Sequence, residues 1–337
     1  MLSGLSSRWH RATGAGPSDD SRLHLGPLGR AVRVQAARVT IVPRRLRAFP
    51  FTKPSWPSGV DYVEPVDDLG VNYETEWART PAARAARNAI VTTVIKPGLR
   101  ALAQPTVRGL DRIEHLEGPV VFAANHHSHV DTFLLLSSVP RRFRERTVVA
   151  AASDYFFDTR MKAAAAALGL GAIPIERHRV NRRSSDQAQA LLADGWNLVI
   201  FPEGGRSPDG WGQEWKPGAA FLAIRAGCPV VPVHLEGTGR IAPRNGGMPK
   251  RGETIVTFGH PLLPTEGEDA RRFGARISSA VAELGDEATS DWWSARRRAA
   301  RGDTPALTGP DDAPSWRRQW ALAARDRATE KPARRWP

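Results

Sequence analysis

The sequence predicts an α/β fold: a mixed, mostly parallel sheet flanked by helices, with an N-terminal amphipathic helix pair and irregular basic tails. Three observations carry that expectation. Between about Thr106 and Leu284, short apolar runs of strand length alternate with longer helical stretches. Hydrophobic residues make up 41% and charged residues 25% of the 337, as in an ordinary globular chain. The residues richest in chemistry follow apolar runs directly, where such sheets place their functional loops.

The elements are expected in this order. Residues 1–75 are rich in Gly, Pro and Ser without a sustained period and read as irregular, apart from a short strand around 39–42. From Pro81 to Ala103 the pattern turns helical, with Arg84, Arg87 and Arg100 among Ile90, Val91, Val94, Ile95 and Leu99, and with Pro97 as a break. Such an arginine-flanked helix pair docks on its own domain or lies in a membrane interface. Strands are expected at 106–110, 120–124, 147–151, 171–175, 198–201, 230–235 and 254–258. Helices are expected between them at 132–139, 159–168, 184–192, 218–226 and 269–284. After Gly285 order is expected to fade. There Trp292, Trp293, Trp316, Trp320 and Trp336 alternate with arginines, as an interfacial anchor, a base-stacking surface, or a short helix near 315–325 packed back on the domain. The implied division is a basic extension over 1–77, a main α/β domain over 78–287 and a Trp/Arg-rich tail over 288–337.

Charge follows that division. The net +13 is concentrated at the ends: residues 1–50 hold nine Arg against two Asp, and residues 291–337 hold eleven Lys/Arg against six Asp/Glu. The centre is nearly neutral, which fits cationic ends held to a polyanion. An anionic membrane surface is the expected partner, and no nucleic acid is expected. Cys228 is the single cysteine, so no intramolecular disulfide and no cysteine-built metal site is possible, and a reducing compartment is expected. No window reaches the roughly 18 apolar residues of a transmembrane helix. A cytoplasmic protein, peripheral to the cytoplasmic face of the cell membrane, is the resulting expectation.

Several chemistries are excluded by their missing motifs. No G-x-x-x-x-G-K-[ST] phosphate loop occurs, and Gly169-Leu170-Gly171 has Pro174 where a dinucleotide motif needs its third glycine. The nearest approach to G-x-S-x-G, starting at Gly205, ends in Asp209.

Asn125-His126-His127-Ser128-His129-Val130-Asp131 follows an apolar run and holds three of the nine histidines. Two functional readings compete here. In one, His126 and Asp131 form a base and its orienting carboxylate. Five residues of regular helix turn about 500°, leaving the pair about 140° apart. They meet only if His126 lies in the strand-to-helix loop and Asp131 in the first helical turn. In the other, His127, His129 and Asp131 bind a metal, as in the opening of an H-x-H-x-D-H signature, although Thr132 stands where the last histidine belongs. A non-enzymatic, basic-tailed binder of lipid or nucleic acid is the third possibility, and a helix cap with incidental histidines the plainest.

Further along, the apolar run ending at Phe201 enters Pro202-Glu203-Gly204-Gly205-Arg206-Ser207. A carboxylate, two glycines and an arginine at a strand end make an anion- and hydroxyl-binding loop. Gly171 to Arg177 is a second strand ending in arginine.

These blocks, with Val231-Pro232-Val233, resemble the four ordered blocks of the glycerolipid acyltransferases, and most closely the 1-acylglycerol-3-phosphate acyltransferases, over about residues 85–285. The resemblance implies His126 as general base, Asp131 as its partner, and Arg177, Glu203, Gly204 and Arg206 as the acceptor-binding set, with Gly205 and Ser207 in the same loop. It implies acyl transfer from acyl-CoA or acyl-carrier protein to a lysophospholipid hydroxyl, without metal or cofactor. Gly205 stands where the family usually has threonine and Pro174 where it has an aromatic, both at the expected headgroup position. Lys216, in Trp215-Lys216-Pro217-Gly218, is a further candidate phosphate contact.

Overall fold

The apolar runs form seven strands among the described residues: β1 (Pro105–Arg108), β2 (Val121–Ala124), β3 (Thr147–Ala152), β4 (Ala172–Ile175), β5 (Asn197–Ile200), β6 (Val230–Glu236) and β7 (Thr254–Phe258). The computed structural model describes residues 69–177, 182–242, 248–310 and 313–330, all within the unit Pro65–Pro337. The expected strand at 39–42 lies outside them. One sheet results, in the order β1-β7-β6-β2-β5-β3-β4. Every neighbouring pair is parallel except β6 and β7. The sheet is therefore mixed and mostly parallel, as expected.

Both faces are covered, which explains why central strands read as continuous apolar runs. Successive side chains of β2 alternate faces: Phe122 and Ala124 enter one core with Leu134, Leu135 and Phe143, while Val121 and Ala123 enter the other with Leu192, Ala223, Phe273 and Ile277. Helices α3 (Val130–Ser138) and α4 (Arg160–Leu170) line the first face; α5 (Arg182–Ala193), α6 (Gly218–Ala226) and α7 (Ala270–Thr289) line the second. Pro174 is tolerated because β4 is an edge strand.

The N-terminal pair runs on as one rod. α1 (Pro81–Ile90) starts at Thr80, whose hydroxyl accepts from the Ala83 amide, with Pro81 at the first helical position. It passes through a π-helical segment, Val91–Ile95, into α2 (Lys96–Ala103). The Lys96 amide donates to the Val91 carbonyl. The irregularity thus immediately precedes Pro97, which supplies no N–H to the continuous ladder, and the widened turn accommodates its ring.

Order does not fade after Gly285. α7 continues to Thr289, and α8 (Trp292–Arg301) and α9 (Ser315–Glu330) follow. α9 packs back on the domain, but not through its tryptophans: Trp316 and Trp320 are 69% and 66% exposed. Its contacts run through Arg318, Leu322 and Arg325 instead. Within the expected extension, the described residues after Leu69 also pack on the domain, where the Gly70 amide donates to the Phe157 carbonyl and the Tyr73 ring meets Phe157.

Candidate active site

β2, β5, β3 and β4 are parallel neighbours, so the segments leaving their carboxyl ends converge on one edge of the sheet. His126 lies in the loop after β2 and Asp131 is the second residue of α3. The loop turns the two toward each other, and His126 Nδ1 lies 2.8 Å from Asp131 Oδ2. The same oxygen accepts the backbone amides of His127 at 2.6 Å and Ser128 at 2.7 Å. Asp131 is fully buried. Burial pushes its carboxyl up, but the hydrogen bond from His126, and attraction to that ring whenever it is protonated, outweigh this and hold it below its ordinary range. A carboxylate at Oδ2 fixes the proton on Nδ1 and leaves the lone pair on Nε2. The His126 ring, stacked on Phe201 at 4.2 Å, borders a cavity of about 420 Å³.

The backbone of His126 is held at both ends. Its amide donates to Glu203 Oε1, and its carbonyl accepts from the Ser207 amide, each at 2.9 Å. Just before it, the Asn125 side chain exchanges two hydrogen bonds with the Leu235 backbone in β6, at 2.8 and 2.7 Å.

The loop after β5 divides between two tasks. Gly204, Gly205 and Arg206 line the cavity, together with Arg177 and Lys216. Glu203 and Ser207 do not; both are buried. Glu203 gives its second oxygen to the Gln213 amide at 2.9 Å, and burial raises its carboxyl to about 7 despite the two amides. Ser207 Oγ accepts the Gly210 amide. The two expected acceptor contacts are thus braces of the loop. Pro174 is likewise buried away from the cavity, whereas Gly205 is at its wall. The Arg177 guanidinium pairs with Asp154 and reaches the Gly204 carbonyl at 3.4 Å. Lys216 Nζ donates to the Arg177 carbonyl at 2.9 Å.

Apolar side chains complete the wall: Phe133, Val149, Ala151, Leu170 and Ile200. Sequence reasoning missed Asp154 and Tyr155, on the turn after β3; their position at a third strand end was the available signal. Gln213 carried no signal.

The three histidines part company. His129 lines the cavity and stacks on Tyr155 at 5.7 Å, while His127 does not line it. Burial lowers both, and Arg206 adds to the effect at His129. Asp131 Oδ2 is taken by three donors. Among the described residues no three His, Cys, Asp or Glu side chains gather as metal ligands.

The family model described as Acyltransferase matches residues 104–236. By that match, residues 104–236 are similar to the acyltransferase family. A chloroplastic 1-acyl-sn-glycerol-3-phosphate acyltransferase of Brassica napus is 29% identical over 48% of this chain and 46% of its own. Its counterpart in Arabidopsis thaliana is 30% identical over 46% and 43%. The chain thus spans a little under half the length of these plant relatives. A 1-acyl-sn-glycerol-3-phosphate acyltransferase of Pseudomonas aeruginosa is 29% identical over 74% of this chain and 93% of its own. The stretch matched by the acyltransferase model holds His126, Asp131, Arg177, the loop after β5 and Lys216, but none of α7, α8 or α9.

Proposed function

We propose that this chain transfers an acyl group from acyl-CoA or acyl-carrier protein to the free hydroxyl of 1-acylglycerol-3-phosphate, giving phosphatidate. The observation that carries the reading is the His126–Asp131 pair, opening on a cavity lined by Arg177, Arg206 and Lys216 together with apolar side chains. The cations suit a phosphate headgroup and the apolar wall suits an acyl chain.

The chemistry follows from the lone pair on Nε2. An alcohol is a poor nucleophile at neutral pH, and a thioester is an activated acyl donor. Nε2 takes the hydroxyl proton as the oxygen attacks the thioester carbonyl. Buried Asp131 stabilises the imidazolium so formed. The tetrahedral intermediate expels the thiolate, which takes the proton back from Nε2, leaving an ester and a free thiol. No covalent enzyme intermediate is needed.

No described helix is long and apolar enough to cross a membrane. Basic ends and the exposed Val94 on the rod support work at a membrane surface, on its cytoplasmic face.

The test is incubation of purified protein with labelled lysophosphatidate and acyl-CoA, with and without a chelator, beside the His126→Ala variant. Chelator-resistant phosphatidate formation is expected, falling about 10²- to 10⁴-fold in the variant. Full activity in His126→Ala would overturn the reading. Activity abolished by the chelator would favour the metal-dependent alternative.

A further inference from the structure

Residues 201–217, between β5 and α6, carry the cavity wall and both holds on the His126 backbone, yet contain no helix or strand. A loop of this length takes its shape from tertiary contacts. Beside the bonds to His126 and Arg177, several of those contacts come from a part of the chain that the family match does not reach. Arg318 of α9 donates through Nε to Asp209 Oδ2 at 2.9 Å, and its other nitrogens donate to the carbonyls of Pro310 and Thr308 at 3.0 and 3.1 Å. The Trp211 indole donates to the Arg318 carbonyl at 3.1 Å, and the Gly212 amide to the Leu307 carbonyl at 2.9 Å. Gly309 lies flat on Trp211: a Cβ there would fall 2.3 Å from the indole, so only glycine permits the approach.

A second arginine acts on the opposite side. Arg325 donates to Glu236 Oε2 at 2.6 Å, both side chains being largely buried. Glu236 directly follows Leu235, whose backbone clasps Asn125, the residue before His126. The same guanidinium lies 5.5 Å from the Trp211 ring. One helix thus reaches both structures that hold the His126 backbone: the 203–213 loop, through Arg318, and the end of β6, through Arg325.

We propose that α9 is a brace for the general base, with Arg318 and Arg325 as positioning residues for acyl transfer. The inference rests on His126 being the base. Neither arginine lines the cavity; each acts through the backbone on either side of His126. The catalytic unit therefore extends at least to Arg325, well past the matched stretch.

The experiment uses the full chain and compares Arg318→Ala, Arg325→Ala, Arg318→Lys and Arg317→Ala, the last an exposed neighbour on α9. Amide hydrogen exchange and kinetics are measured on each. In Arg318→Ala, exchange at His126, Ser207 and Gln213 is expected to rise about tenfold while core strands β2 and β5 stay protected. In Arg325→Ala, the rise is expected at His126 and Leu235. kcat should fall about tenfold in both with KM for the acyl donor nearly unchanged, as misplacement of a base predicts. Arg318→Lys should recover part of the loss, and Arg317→Ala should behave as wild type. Unchanged exchange at those amides in both alanine variants overturns the brace, as does a uniform rise across all strands, which signals plain destabilisation. If wild type makes no product with any acceptor, the function reading fails, and the exchange pattern still decides whether α9 holds the loop.

Discussion

At the scale of single residues, the site depends on one oxygen. Asp131 Oδ2 accepts from the His126 ring and from two backbone amides, so it fixes both the ring's tautomer and the turn that presents it. Asn at this position offers one oxygen and one amide donor. If the oxygen keeps the two backbone amides, it still bonds Nδ1–H but brings no charge to stabilise the imidazolium. If the amide group faces the ring instead, the tautomer reverses and Nε2 carries the proton. Either way Asp131→Asn is expected to lower kcat about 10²-fold or more with little change in KM, measured by steady-state kinetics. A fall confined to KM would place Asp131 in substrate binding instead. The pair was legible in the sequence because its spacing is workable only across a strand-to-helix junction. Glu203 was not legible in the same way. The sequence shows a carboxylate at a strand end, but which way its two oxygens point depends on the amides of His126 and Gln213, brought together by the loop.

At the scale of elements, the strands were legible because both faces of the sheet are buried and their runs are bounded by turns. Strand order was not, since it depends on which crossover passes over which neighbour. α9 was visible as a short helix near 315–325, but its docking was invisible: its tryptophans, the obvious anchors, face outward, and arginines make the contacts. The loop after β5 allows a sharper contrast. Gly204 has φ +70°, and a Cβ there would fall 2.9 Å from Lys216 Nζ. Gly204→Ala is therefore expected to cost about 1–2 kcal/mol in backbone strain and to push Lys216 off the cavity wall, raising KM for the acceptor. Gly205 lies outside the left-handed region, and a Cβ there meets nothing nearer than 3.8 Å. Gly205→Ala should leave stability unchanged or raise it by about 0.4–1 kcal/mol through the unfolded chain. Thermal unfolding and acceptor kinetics on the two variants check the pair, and equal effects would refute the distinction drawn from their backbones.

At the scale of the whole molecule, buried titratable groups around the site set how stability depends on pH, and two of them oppose each other. Burial raises Glu203 from 4.5 to about 7. Between those values the folded protein keeps a proton that the unfolded chain has released, so this contribution is full below pH 4.5 and is lost as pH rises through 7. Burial lowers His234 from 6.5 to about 4, against the pull of Glu236. Neither ring nitrogen of His234 has a hydrogen-bond partner among the described residues. Here the unfolded chain holds the extra proton, so the contribution is full above pH 6.5 and is lost as pH falls to 4. His127 and His129 are lowered and act in the same sense as His234. Each of the two larger shifts corresponds to roughly 3 kcal/mol, at about 1.4 kcal/mol per unit. Between pH 4.5 and 6.5 these two offset each other, so the wild-type melting temperature should fall only modestly as pH drops, by what His127 and His129 add. Below pH 4.5 Glu236, held near 2 against its burial by Arg325, begins to lose its contribution as well, and stability should drop steeply. Single substitutions unmask the opposition. Glu203→Gln removes the first slope, so its melting temperature should fall clearly as pH drops from 6.5 to 4.5. His234→Leu places an apolar side chain of similar size where the ring nitrogens make no hydrogen bond, and its melting temperature should rise over the same interval. Thermal unfolding of the three proteins across that window is the measurement, and parallel curves would show that neither group titrates in the folded state as its surroundings require.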